Sequence, residues 1–173
     1  MCGIAGIMYR GTAQSFDMGE ALIQMLDGCQ HRGPDSTGFA LYGTAQAGQL
    51  KLRFFLENEQ NSEEVIQTIR RRLSELSAVI NEEAQVGDNY RVTVTYGGDV
   101  QKLAYEMEHA AKVVSIGSSL EIVKDVGSAH DVDDRYHVHD FQGTHGLGHV
   151  RLATESDVRP EAAHPFWATG FAD

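Results

Sequence analysis

A chain of 173 residues with 42% hydrophobic and 23% charged side chains carries enough apolar material for a globular core. Its formal net charge of −11 works against nonspecific binding to nucleic acid or to an anionic membrane, and no apolar run approaches the ~20 residues of a membrane helix. No basic leader precedes Cys2, so the start does not read as a signal peptide; a cytoplasmic chain is expected, in which two cysteines form no disulfide frame.

Residues 1–9 read as a buried strand. Ile4, Ile7 and Met8 are apolar, Ala5 and Gly6 are small, and no charge comes before Arg10. A strand beginning at residue 2 would carry the chain terminus inward, where an ammonium is costly unless it has a function. Residues 11–15 read as a turn. Asp17 and Glu20 have the spacing of a capping pair, and Met18, Ala21, Leu22, Met25, Leu26 and Cys29 form one helical stripe, with Cys29 as a small buried hydrophobe. The sequence His31-Arg32-Gly33-Pro34-Asp35-Ser36 is a turn signal. Residues 39–42 and 50–56 read as strands joined by a hairpin loop.

From Asn61 the character changes. Asn61 and Glu64 mark a helix start, and Ile66, Ile69, Leu73, Leu76 and Ile80 predict a long helix that Gly87 stops. Arg70, Arg71 and Arg72 read as its solvated face. Residues 90–96 alternate, with Val92, Val94 and Tyr96 on one face. Asp99 is placed to cap a helix bearing Val100, Leu103, Ala104 and Met107, and 113–116 and 120–126 read as strands. Residues 61–128 thus read as a small α/β module inserted in a larger fold, with no obvious chemistry.

Residues 129–149 are rich in histidine and aspartate. His137 and His139 would share a face of a strand, a spacing metals use, but no second ligand pair follows and no metal site is assigned. Gly143, Gly146 and Gly148 have the wrong order for a phosphate loop, and no Lys-Ser/Thr follows them. Residues 148–156 run as a strand into a turn with Arg151 at its end, a rigid fork suited to a carboxylate. His164-Pro165 is a turn that enters the apolar Phe166-Trp167.

Three segments together resemble one family: Met-Cys-Gly-Ile-Ala-Gly at 1–6, His-Arg-Gly-Pro-Asp-Ser-Thr-Gly at 31–38, and Gly-His-Val-Arg-Leu-Ala-Thr at 148–154 with Ala-His-Pro-Phe at 163–166. Their order and spacing are similar to those of the class II glutamine amidotransferases, which are N-terminal-nucleophile hydrolases. Thr154-Glu155-Ser156 and the insert make the chain most similar to the amidotransferase subunit of N-methylglutamate synthase and glutamate-synthase-like complexes. The resemblance implies an α+β fold, a four-layer αββα sandwich, with 61–128 inserted in a partial amidotransferase domain spanning 1–173. It implies Cys2 as nucleophile once Met1 is removed, and Arg151 as the clamp on the glutamine α-carboxylate. Thr154 and His164 would line the same pocket, and Arg32, Gly33 and Asp35 would shape it. Its partners would be L-glutamine and the synthase subunits of a hetero-oligomer, with neither nucleic acid nor membrane. The chain itself would carry no cofactor and no metal, while a partner subunit could bring FMN or an iron–sulfur cluster.

Two positions depart from the family pattern: Leu152 stands for an aromatic residue and Glu155 for a histidine. The family's Asn-Gly oxyanion pair and its ammonium-binding aspartate would lie beyond Asp173, so the C-terminal part of the fold is expected to be missing.

The chemistry explains why the cysteine would have to come first. A thiol of pKa ~8.5 gains from a neighbouring base, and an α-amine of pKa ~7.7–8.0 on the same residue supplies one. The expected reaction is glutamine to glutamate and ammonia through a thioester. The alternative expectation is an assembly or regulatory subunit that keeps the fold without turnover.

Overall fold

The structure is a computed structural model, and the residues it describes are 1–10, 16–56, 61–153 and 158–168. The chain divides into two units. One comprises Met1–Thr44 with Ile122–Phe166, and the other Ala45–Glu121 with the segment from Trp167.

The first unit is a four-stranded sheet in the order β1-β10-β3-β8, made of β1 (Gly3–Met8), β3 (Ser36–Tyr42), β8 (Leu120–Val126) and β10 (His145–Arg151). β10 pairs antiparallel with β1 on one side and β3 on the other. One sheet face is covered by α1 (Met18–Asp27) and α4 (Ala129–Tyr136), which bury Met18, Leu22, Leu26, Phe39, Leu41, Val123, Val132 and Val150 together. The glycines of β10 belong to this packing. A Cβ on Gly148 would lie 2.8 Å from Leu26 Cδ1, and one on Gly146 would lie 2.9 Å from Leu22 Cδ1, so they admit α1 close to the strand. A two-residue pairing of β2 (Phe16–Asp17) with β9 (Gln142–Gly143) completes the unit.

β1 is an edge strand buried on one face only. Gly3 is buried, whereas Cys2 is exposed and Ile4 and Met8 are 71% and 69% exposed. The terminus therefore lies at the surface here, contrary to the reading of 1–9 as a fully buried strand, because apolar content alone does not say how many faces of a strand are covered. In α1 the buried stripe runs through Ile23 rather than Met25. Asp17 is the N-cap, but its carboxylate accepts from Gln142 of β9 and Glu20 from Gln24, so the expected capping pair does not form.

The second unit is a four-stranded sheet in the order β5-β6-β4-β7, with α2 (Ser62–Glu75) and α3 (Val100–Ala110) on one face. Its strands are β4 (Gln49–Phe55), β5 (Val79–Val86), β6 (Asn89–Thr95) and β7 (Lys112–Gly117). β4 pairs with β6 and β7, not with β3, so 43–49 is no hairpin loop and the unit begins at Ala45 rather than at Asn61. The long helix expected to reach Gly87 ends at Glu75. Ser77 turns left-handed at φ 61°, Ala78 N–H bonds back to Leu73 O, and Ile80 belongs to β5. Asp99 caps α3 as expected, accepting from the N–H groups of Gln101 and Lys102.

The sheet face away from α2 and α3 holds a buried carboxylate among three cations. Glu121 lies 2.7 Å from Arg91 Nε, 3.4 Å from Lys51 Nζ and 3.5 Å from Arg53 Nη2. Burial pushes its carboxyl up, but the Arg91 hydrogen bond and the charges of Arg91, Arg53 and Lys51 outweigh that and hold it at about 2. Arg70 forks onto Glu83 at 2.7 and 3.0 Å, and Arg71 and Arg72 reach Glu75, so the arginine cluster is an ion-paired helix face. Among the described residues no helix is long and apolar enough to cross a membrane.

Candidate functional site

The site grows from the strand register. Gly3, the first residue of β1, pairs with Val150, so Cys2 just before the strand and Arg151 just after Val150 flank that pair, and Arg151 pairs in turn with Ser36 at the start of β3. Strand alternation puts Cys2, Ile4, Arg151, His149, Ser36 and Gly38 on the sheet face away from α1. The two cysteines lie on opposite sides of the sheet. Cys29 packs beneath β1, where a Cβ on Gly3 would stand 2.8 Å from its Sγ.

The loop between α1 and β3 straps the end of β10. A short 3-10 turn at Gln30–Arg32 leads into Gly33, where a Cβ would lie 2.5 Å from the carbonyl carbon and oxygen of Val150 and 2.6 Å from Arg151 N. Only a residue without a side chain lets the loop press this close. Asp35 then ties the chain at Arg151 and two residues beyond it: its N–H donates to Arg151 O at 3.1 Å, and its Oδ2 accepts from Ala153 N–H at 2.7 Å. Arg32 is exposed, with Nη2 3.5 Å from Met1 Sδ, so the strap also touches the chain start. Gln30 holds the strap from behind, donating to Gly33 O and accepting from Ala129 N–H at the start of α4, each at 2.9 Å.

His164 joins from another segment. Its ring centroid is 4.7 Å from that of His149, and the His164-Pro165 peptide is cis. Partial burial, the His164 ring and the Arg151 charge lower the His149 pKa, and partial burial, Lys124 and Arg151 lower that of His164. Both imidazoles are therefore held neutral near physiological pH.

Of the residues expected at the site, Cys2, Arg151, Arg32, Gly33 and Asp35 gather at this end of β1, β10 and β3, and His164 reaches the same sheet face through His149. Thr154 and Glu155 lie outside the described residues. His149, Gln30, Ser36 and Lys124 were not singled out from the sequence as site residues. Alternation from Arg151 would have found His149.

The histidine-rich stretch takes a different form from the strand expected. His137 is the left-handed C-cap of α4 at φ 52°, and His139 sits in the 3-10 turn at Val138–Asp140. Ligand atoms of His137, His139 and Asp140 lie within 4.8 Å of one another, all exposed. His139 Nδ1 bonds Asp133, which raises its pKa.

No family model matches the chain. Curated relatives do. It is 33% identical over 96% of its length to a protein of Methanothermobacter thermautotrophicus named "Putative glutamine amidotransferase". Over the same share it is 33% identical to "Glutamine amidotransferase-like protein GlxB" of Rhizobium meliloti. The chain is a relative of glutamine amidotransferase-like proteins. It spans about half the length of these relatives, 56% and 54%.

Proposed function

We propose that this chain is the glutamine-hydrolysing part of a class II amidotransferase, with Cys2 as the N-terminal nucleophile. What carries the reading is the strand register, since the pairing of Gly3 with Val150 sets their chain neighbours Cys2 and Arg151 at the same sheet end, beside the Gly33–Asp35 strap. The naming of its relatives supports glutamine as the substrate.

On this reading, removal of Met1 frees the Cys2 α-amine, which takes the thiol proton. The thiolate adds to the carbon of the glutamine side-chain amide. The tetrahedral adduct expels ammonia, which leaves with the proton the amine had taken. The thioester is then cleaved by water, giving glutamate and the free thiol. Arg151 binds the α-carboxylate through a charge-assisted fork, and Asp35 fixes the backbone from Arg151 to Ala153. The neutral His164 would line the same pocket. The ammonia would pass to a synthase partner, of the N-methylglutamate or glutamate synthase type by resemblance.

The test is direct. Intact mass of the full-length protein should show Met1 removed, and Cys2→Ala should abolish glutaminase activity while glutamine still binds. Activity that survives Cys2→Ala overturns the mechanism. A retained Met1 with no turnover selects the alternative, a non-catalytic assembly or regulatory subunit.

A further inference from the structure

Lys124 of β8 is only 4% exposed, an unusual place for a group that is costly to desolvate. An ammonium has three donors, and here three main-chain carbonyls of one segment receive it. Nζ donates to Ala163 O at 2.9 Å, Pro165 O at 3.2 Å and Glu161 O at 3.3 Å. It also lies 4.5 Å from the centre of the Phe166 ring. All four residues belong to the segment that carries His164.

The neighbouring strand is shaped to receive that segment. A Cβ on Gly38 of β3 would stand 2.0 Å from His164 O and 2.9 Å from Lys124 Cβ, so only glycine allows the approach. Gly38 pairs with His149, and Arg151 lies two residues further along β10 on the same face. The segment thus rests on β3 and is pinned from β8, and its imidazole meets β10.

We infer that Lys124 is a positioning residue for the glutamine site: by gathering the carbonyls of Glu161, Ala163 and Pro165 it holds His164 against His149 on the face that carries Arg151. The inference rests on the site reading above. Among the described residues the titratable or charged groups facing His164 are Lys124 from β8 and His149 and Arg151 from β10, and the ammonium adds to the effects that keep His164 neutral.

The experiment uses the full-length protein with Lys124→Met, Lys124→Arg and, as a stability control in the other unit's core, Leu73→Ala. Lys124→Met should raise KM for glutamine on the order of ten- to a hundredfold, with a much smaller change in kcat. The His164 imidazole, followed by NMR and identified by its loss in His164→Gln, should titrate at higher pH in Lys124→Met. Lys124→Arg keeps the charge but loses the convergent geometry, and should restore the titration more than the KM. Leu73→Ala should lower Tm and leave both readouts in place. A folded Lys124→Met protein with unchanged KM and unchanged His164 titration overturns the inference. A wild-type protein without glutaminase activity whose His164 still shifts in Lys124→Met overturns the reading of the site and leaves the clamp on this segment standing.

Discussion

At the scale of single residues, the site depends on where side chains are missing as much as on where they are present. Gly33 is the clearest case, because the atoms a methyl group would meet are the backbone of Val150 and Arg151, which cannot swing aside. Gly33→Ala should cost about 1–3 kcal/mol of stability, the usual size of an overpacking penalty. It should also displace the strand end that presents Arg151, so glutamine binding should weaken more than the loss of Tm alone accounts for. Gly97, whose Cβ would meet nothing within 4 Å, is the matched control, and Gly97→Ala should leave both properties near wild type. Thermal melts with glutamine titrations on the two variants make the comparison, and equal effects would remove the special role of Gly33.

At the scale of elements, a helix end shows how local signals compete. Ser77 closes α2 in the left-handed region at φ 61°, a position that favours glycine. Ser77→Gly relieves a cost of roughly 1–2 kcal/mol and gives back roughly 0.4–1 kcal/mol through a freer unfolded chain, so a net gain of up to about 1.6 kcal/mol is expected in denaturant melts. This same end was not legible beforehand. Ile80 continues the helical spacing of Ile66, Ile69 and Leu73, and nothing in the periodicity says that the chain has already turned into β5. The Gly87-Asp88 dipeptide between β5 and β6 is the hairpin signal that would have placed it. α3 was legible because its cap, Asp99, is adjacent in sequence to what it caps. The site divides the same way. Cys2, Asp35, Arg151 and His164 sit in motifs that can be read locally, whereas Gln30 meets Ala129 across 99 residues and Lys124 meets Ala163 across 39, contacts that exist only once the sheet is formed.

At the scale of the whole molecule, the chain builds two separate cores, and each has its own natural probe. Trp167, the single tryptophan, packs on the core of the second unit and donates its indole N–H to Ile116 O at 3.1 Å. Cys29, packed beneath Gly3, probes the first unit, since the exposed Cys2 thiol reacts at once and leaves Cys29 to report opening. Glu121 belongs to the second unit, and its carboxyl sits at about 2 when folded, against about 4.3 in an unfolded chain. Between those values the unfolded state binds the proton and the folded state does not. The stabilisation is therefore full above about pH 5 and is lost as pH falls towards 2. Glu121→Gln leaves Arg53, Arg91 and Lys51 without their shared carboxylate. The variant should cost about 2–4 kcal/mol, less than for a fully buried pair because Arg91 and Lys51 reach solvent. In urea at pH 7 the Trp167 fluorescence midpoint should fall well below wild type while Cys29 labelling moves less, and the wild-type fluorescence midpoint should descend towards that of Glu121→Gln on acidification. Equal shifts of both probes would mean that the two cores unfold as one cooperative block, and an acid response retained in Glu121→Gln would assign it to other carboxylates.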